Sequence, residues 1–182
     1  MVIARMRADD GKQELRGICQ ILPNNASIVE LGVYAGDSTL VFLESDKIQQ
    51  IVAVDPFIDE YDIEQIGRLS DPGNPYNTKM SDIEAYFRSN VLATNPRVRL
   101  IKEKSVDAVA QLAGQKFDTV YIDADHRYEA VRDDIIAYMS LIKPGGFISG
   151  HDYAASWGVK RAVDELFGKP DKLFGISWVK YL

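Results

Sequence analysis

The chain has 182 residues, 46 % hydrophobic and 26 % charged, with a formal net charge of −6, the make-up of one soluble globular domain rather than a disordered, fibrous or repeat protein. The acidic balance argues against nonspecific nucleic-acid binding, which needs a basic field, and no apolar run nears the roughly 18 residues that span a bilayer. Residues 1–7 lack the apolar core of a signal peptide, and the single Cys19 supports neither an internal disulfide nor a thiolate metal site, so a cytoplasmic protein is expected.

In chain order, Leu15, Ile18, Cys19 and Leu22 recur at i, i+3, i+4 and i+7 and predict a first amphipathic helix, with Cys19 as a small core residue. Residues 27–31 form an apolar run that predicts a strand, followed by a helix over 38–43 that Asp37 or Ser38 would cap. A second strand is expected at 51–54, a helix over 82–93, and a third strand at 98–101. Val106, Val109, Ala110 and Leu112 mark a short helix before a fourth strand at 117–122. Val131, Ile135, Tyr138, Met139 and Ile142 predict a long helix ending at the turn Lys143-Pro144-Gly145-Gly146. A strand at 147–149, a helix from about 157 to 167 and a last strand within 176–182 complete the chain. Strand runs that are nearly continuous in Val, Ile, Leu and Phe are buried on both faces, as in a parallel sheet. Their alternation with helices predicts right-handed βαβ crossovers and an α/β sandwich forming a single domain over 1–182.

Residues 56–79 break the rhythm. They carry Asp59, Glu60, Asp62 and Glu64 and then Asp71-Pro72-Gly73-Asn74-Pro75, with no core pattern. A connection of that length in a compact domain is expected to be a substrate lid or binding loop, or else a solvated excursion.

The first strand runs straight into Gly32-Val33-Tyr34-Ala35-Gly36-Asp37-Ser38-Thr39 and a helix. Open α/β sheets bind ligands at the carboxyl ends of their strands, and the first β–α turn is the usual place. Gly32 lets the backbone turn sharply and a ligand approach, while Gly36 permits either close helix packing or further approach. Asp55 closes the second strand, 19 residues after Gly36, where a carboxylate suits the two hydroxyls of a ribose. A dinucleotide would want G-x-G-x-x-G, but Tyr34 takes the place of the middle glycine and Glu30 would repel a pyrophosphate. Glu30 suits a cationic amino group instead. S-adenosylmethionine carries one, with a sulfonium and a ribose, and fits the two carboxylates better than NAD.

The run from Glu30 to Thr39 resembles the first motif of class I S-adenosylmethionine-dependent methyltransferases, above all the subgroup with an aromatic at the central glycine, as in catechol and caffeoyl-CoA O-methyltransferases. The similarity extends over about 27–153. It implies a three-layer Rossmann-like sandwich around a mostly parallel sheet of about seven strands, trimmed at the end if the short stretch after Phe167 cannot supply them. It also implies that Glu30 and Gly32 contact the methionine moiety and Ser38 its carboxylate. Asp55 would hold the ribose and Ser105-Val106 would lie beside the adenine, with Tyr34, Gly36 and Asp123 completing the cofactor-binding set.

The most chemically loaded segment is Tyr121-Ile122-Asp123-Ala124-Asp125-His126-Arg127-Tyr128, followed one strand later by His151-Asp152-Tyr153. Both histidines of the chain therefore fall at strand carboxyl ends, beside the first motif. Oxygen ligands converging from two neighbouring strands suit Mg²⁺, Ca²⁺ or Mn²⁺ better than zinc, with Asp123 and Asp152 as ligands and His151 or Asp125 completing the shell. The alternative is a polar cluster that braces loops, with Asp123 capping the next helix. These residues, with Lys143-Pro144-Gly145-Gly146 between them, are similar to the macrocin O-methyltransferase-like and cephalosporin-hydroxylase-like proteins. Resemblance to the related metal-dependent O-methyltransferases, which bind Mg²⁺ through the first Asp after strand four and a pair after strand five, carries the metal over to Asp123, His151 and Asp152, although His151 stands where those relatives commonly have an acid.

The expected chemistry is in-line transfer of a sulfonium methyl to a hydroxyl of a small molecule or sugar, with His126 or Asp125 taking the proton. Trp157 is a candidate pocket wall and Trp178 a core residue, whereas Arg127, Arg132, Lys160 and Arg161 read as solvated helix faces. The acceptor site needs further walls, from residues 56–79 or from a second subunit in a homodimer. A non-catalytic cofactor-binding module and an NAD-dependent oxidoreductase remain as rival readings.

Overall fold

The computed structural model describes residues 9–59, 78–154 and 158–182. Most of the 56–79 segment, and Trp157, lie outside the described residues. The two flanks of that segment meet, because the Asp59 carboxylate accepts the Met80 N–H at 2.9 Å.

Seven strands form one sheet: β1 (Ala26–Leu31), β2 (Ile48–Val54), β3 (Val98–Ile101), β4 (Phe117–Ile122), β5 (Ile142–Gly150), β6 (Lys172–Phe174) and β7 (Ser177–Tyr181). Their spatial order is β3-β2-β1-β4-β5-β7-β6. The five strands from β3 to β5 are parallel, while β7 runs antiparallel to both β5 and β6. The helices are α1 (Asp9–Ile21), α2 (Asp37–Leu43), α3 (Met80–Phe87), α4 (Ser105–Ala108), α5 (Tyr128–Met139) and α6 (Gly158–Phe167).

Strand alternation divides the core in two. Ile28, Ile51, Ala53, Tyr121 and Phe147 face α1, α2 and α3, packing on Leu15, Ile18, Phe42, Ile83 and Phe87. Val29, Leu31, Val52, Val120 and Ile148 face the other way, onto Leu112, Ile135, Val159 and Val163 around α4, α5 and α6. All six residues of β4 are buried, Asp118 and Thr119 included, as a strand covered on both faces requires. The result is the expected three-layer α/β sandwich around a mostly parallel sheet. Cys19 and Trp178 are both core residues.

Four local readings need correction. Ile142 is not the last turn of a helix: α5 stops at Met139 and Ile142 pairs with Phe117 as the first residue of β5. Lys143-Pro144-Gly145-Gly146 is accordingly not a turn but the irregular start of that strand. Gly145 has φ +80°, the pairing slips between Phe117 and Thr119, and a Cβ on Gly146 would come within 2.6 Å of the Asp118 carbonyl. Neither Asp37 nor Ser38 caps α2, because Gly36 occupies the cap in the left-handed conformation and Asp37 is already helical. The stretch after Phe167 is not too short for the last strands: the strand expected within 176–182 is β7, and β6 precedes it in a hairpin turning at Gly175, so no strand is trimmed. Finer departures concern α3, which continues as a π-turn over Arg88–Leu92, and α4, which continues as a 3₁₀ turn over Val109–Leu112.

Candidate active site

After β1 the chain crosses to the α2 face of the sheet, and after β4 to the α5 face. The two loops therefore diverge between adjacent strands and open a crevice at their carboxyl ends, the usual ligand position in an open α/β sheet. Gly32 stands at its base with φ +81°, donating its N–H to the Val54 carbonyl at 2.9 Å. A Cβ there would lie 2.2 Å from the Asp123 carbonyl oxygen and 2.7 Å from the Ala124 Cα. The first motif and the acidic loop thus touch through backbone, at a point only glycine allows. Gly36 (φ +86°) serves packing: a Cβ there would meet Val91 at 2.6 Å and Phe87 at 3.0 Å.

Glu30 and Asp55 lie on one side of the sheet. Residues 28 and 30 of β1 alternate with the same face as 51 and 53 of β2 and with Asp55 just beyond it, and Glu30 pairs in register with Ala53. Glu30 is fully buried and accepts the Thr39 hydroxyl at 2.7 Å. Asp55 is buried too, its two oxygens accepting the N–H groups of Tyr34 (2.9 Å) and Phe57 (2.8 Å). Ser38 is buried in the first turn of α2, and Ser105 opens α4 beyond β3, its carbonyl accepting the Tyr138 hydroxyl at 2.8 Å.

The two polar segments are held side by side by backbone: Asp123 N–H donates to the Leu31 carbonyl (2.9 Å) and His151 N–H to the Ile122 carbonyl (3.0 Å). Across them His126 Nε2 lies 2.9 Å from Asp152 Oδ2 and 3.6 Å from Asp123 Oδ1. His151 Nδ1 lies 3.2 Å from Asp152 Oδ2 and 3.9 Å from Asp123 Oδ1. Burial disfavours a charged imidazole at His126, but hydrogen bonds to Asp123 and Asp152 and their charges outweigh it, raising its pKa to about 10. Burial opposes ionisation of Asp152, yet hydrogen bonds from both histidines hold its carboxyl well below the usual range. Asp125 turns elsewhere, accepting the N–H and the guanidinium of Arg127. Asp123 does not cap α5, whose cap position is Arg127. Tyr128 is directed to α6, donating to Glu165 at 2.7 Å beneath Arg161.

The ligand atoms of Asp123, His126 and Asp152 lie within 4.8 Å of one another. This mixed carboxylate and imidazole set, drawn from two loops, fits a divalent cation. It differs from the expected trio in containing His126, with His151 standing beside it.

Two features escaped the sequence. Glu14 of α1 reaches the cluster, its carboxylate 3.4 Å from His151 Nε2 and held by the Ser177 hydroxyl (2.8 Å) and the Ile176 N–H (3.3 Å). The sole available signal was an acid one helical turn before Ile18, at the edge of the apolar stripe. Secondly, among the described residues four non-glycines have positive φ, and three of them follow strands at this edge: Tyr34 (+47°), Phe57 (+49°) and Asp152 (+57°). Such backbone strain concentrates at functional sites.

The profile of a family described as "Methyltransferase domain" matches residues 29–153. The chain is 25 % identical over 134 residues to the uncharacterized protein R132 of Acanthamoeba polyphaga mimivirus, covering 71 % of this chain and 52 % of the relative. It thus spans about half the length of that curated relative. Among solved structures it is similar to an O-methyltransferase from Bacillus cereus in complex with SAH, with a TM-score of 0.65 at 18 % identity over 92 % of this chain and 73 % of that one. The TDP-rhamnose 3'-O-methyltransferase CalS11 of calicheamicin biosynthesis gives a TM-score of 0.58 at 18 % identity, over 93 % and 77 % of the two chains. At such identities these likenesses concern the fold. No helix among the described residues is long and apolar enough to cross a membrane.

Proposed function

This chain belongs to the methyltransferase-domain family, and from that premise we propose that it transfers a methyl group from S-adenosylmethionine to a hydroxyl of a small molecule or sugar, assisted by a divalent cation. The observation that carries this reading is the common placement of Glu30 and Asp55 on one sheet face, at the crevice where Gly32 meets the Asp123 loop.

In this reading Glu30 and Gly32 hold the aminoacyl end of the donor, with Tyr34 along the same turn, and Ser38 meets the carboxylate. Asp55 takes the ribose hydroxyls. Its oxygens already accept one backbone N–H each, which fixes the carboxylate in place. Ser105 lies at the adenine. Asp123, His126 and Asp152 hold the cation, with His151 beside them. When bound, the donor supplies a sulfonium-activated methyl group and the cation a positive charge that eases deprotonation of a hydroxyl. Between the two expected proton acceptors we favour Asp125. As a ligand, His126 would commit its ring nitrogen to the cation, which leaves Asp125, on the same loop, as the proton acceptor. Residues 56–79, or a second copy of the chain, supply the remaining acceptor walls, and the setting is cytoplasmic.

Calorimetric titration with S-adenosylhomocysteine tests the donor assignment. Saturable binding that is lost in Asp55→Ala and Glu30→Gln is expected, and no binding to the purified protein overturns it. Turnover on a panel of hydroxylated acceptors, abolished by chelation and restored by Mg²⁺ or Mn²⁺, tests the rest against a module that binds but does not catalyse.

A further inference from the structure

Helix α1 carries an acid that reaches the metal-ligand cluster from outside the two loops that build it. Glu14 lies before residues 29–153, the stretch that the methyltransferase-domain profile matches, so the family likeness assigns it no role. Its side chain is only 14 % exposed, and the β6–β7 hairpin holds both oxygens: Oε2 accepts the Ser177 hydroxyl at 2.8 Å and Oε1 the Ile176 N–H at 3.3 Å. The hairpin is shaped around this carboxylate. Gly175 turns at φ +60°, and a Cβ there would come within 2.1 Å of Glu14 Oε1 and 2.6 Å of its Cδ. One turn further along α1, Gly17 is pressed against Phe174, whose ring a Cβ would meet at 2.4 Å. A glutamate on a helix ordinarily points into water. This one is turned inward and fixed by two donors, and its Oε2 also lies 3.4 Å from His151 Nε2.

A carboxylate oxygen can only accept, so the His151 nitrogen facing Glu14 carries a proton, and the lone pair of the neutral ring falls to Nδ1. Nδ1 is the nitrogen on the side of the cluster, 3.2 Å from Asp152 Oδ2 and 3.9 Å from Asp123 Oδ1. We propose that Glu14 is a positioning residue for the cation: it fixes the His151 ring and its tautomer so that Nδ1 offers a lone pair beside the oxygens of Asp123 and Asp152. This rests on the metal-assisted reading above. A histidine that binds a metal through one nitrogen almost always gives its other N–H to a partner such as a carboxylate, which sets the ring's orientation and strengthens it as a ligand. Loss of such a partner typically costs about 10- to 100-fold in metal affinity. The cation site thereby draws on α1 and the β6–β7 hairpin as well as on the loops after β4 and β5.

The test is titration of the full, metal-stripped chain with Mn²⁺, followed by loss of the free-ion electron paramagnetic resonance signal, with thermal melts of the same proteins. Glu14→Gln should weaken Mn²⁺ binding by about 10- to 100-fold. His151→Ala should weaken it at least as much, and adding Glu14→Gln to it should cost less than about threefold more, because Glu14 acts through that ring. Phe174→Leu loosens the docking of α1 without touching the carboxylate, so it should lower Tm and leave Mn²⁺ affinity within about threefold of wild type. If Glu14→Gln does not fold, Ser177→Ala, which removes one of the carboxylate's donors, should weaken Mn²⁺ by more than about threefold in the wild type and not in His151→Ala. Equal losses with and without His151, or an affinity that falls in step with Tm across Glu14→Gln and Phe174→Leu, would show a merely structural tie and overturn the inference. A His151→Ala protein with wild-type affinity overturns it too, while leaving Asp123, His126 and Asp152 as the site. Failure of the wild type to bind Mn²⁺ overturns the metal reading itself, and the inference with it.

Discussion

A buried acid on the inward face of α5, Asp134, gives the sharpest stability prediction. Asp134 is 2 % exposed, and burial, with the charges of Asp125 and Asp133, raises its pKa to about 7 against the bond from Ser105. In the unfolded chain the group titrates near 4. An acid whose pKa rises on folding binds more protons in the native state between those two values, so native stability falls as pH climbs from about 4 to about 7 and is level beyond. Three pK units correspond to about 4 kcal/mol as an upper bound. Asp134→Asn keeps the shape but never ionises. Its stability relative to wild type should therefore rise from near zero at pH 4.5 to as much as about 4 kcal/mol at pH 8, a gain on the order of 10 °C in Tm for a chain of this size. Urea unfolding of both proteins at half-unit pH steps measures this, and taking the difference removes the titration of every group they share. Parallel curves across pH 4.5–8.5 would mean that the carboxyl is solvated in the native protein and would refute the reasoning.

Gly32→Ala places a methyl 2.2 Å from the Asp123 carbonyl at φ +81°, so it should cost more than about 3 kcal/mol and abolish S-adenosylhomocysteine binding, read by denaturation and calorimetry. Asp125→Asn should lower kcat by about 10² to 10⁴ with donor affinity within about threefold of wild type, and an unimpaired kcat would remove Asp125 as the proton acceptor. His126 has a folded pKa near 10 against an ordinary value of 6.5, so its ion pair stabilises fully below pH 6.5 and fades as pH rises through 10. The metal-stripped wild type should accordingly lose its advantage over His126→Asn across that interval in thermal melts, and a constant difference would show that the imidazole is not charged. Glu14→Gln should lower Tm by a few degrees, because its carboxylate ties α1 to the β6–β7 hairpin, with a wild-type Tm counting against that tie.

How much was legible in the sequence depended on whether a residue acts through its own chemistry or through its neighbours. Buried parallel strands announce themselves because both faces must be apolar, and Gly32, Asp55, Asp123 and Asp152 were visible because polar or glycine residues at the ends of such runs have few purely local explanations. Ile142 misled because apolar periodicity alone does not distinguish the last turn of a helix from the first residue of a strand. Only the slip in pairing with β4 decides it. Gly36 was ambiguous until Phe87 and Val91, some 50 residues later, were found in the space its side chain would fill. Glu14 and Asp134 were invisible for a related reason. Glu14 lies at the edge of its helix's stripe, where the pattern accommodates an acid, and its meaning comes from Ser177 and His151 on distant elements; Asp134 lies on the inward face of its own helix, where apolar periodicity at the neighbouring positions masks it.

The strained positions bear on why the site is built as it is. Tyr34, Phe57 and Asp152 each hold a conformation that costs on the order of 1–3 kcal/mol, a large fraction of the 5–15 kcal/mol that keeps a domain folded. Glycine at any of them would relieve the strain, so the side chain must be what the position needs. The compensation is visible at two of the three: Asp55 accepts the N–H groups of Tyr34 and Phe57 with both its oxygens, and so ties the loops after β1 and β2 together through one carboxylate. That carboxylate is the group assigned to the ribose. A residue already fixed by two backbone donors needs no further ordering when it meets a ligand. Two of the three strained residues thus donate their amides to one carboxylate, so the strained loops and the fixed position of Asp55 occur together.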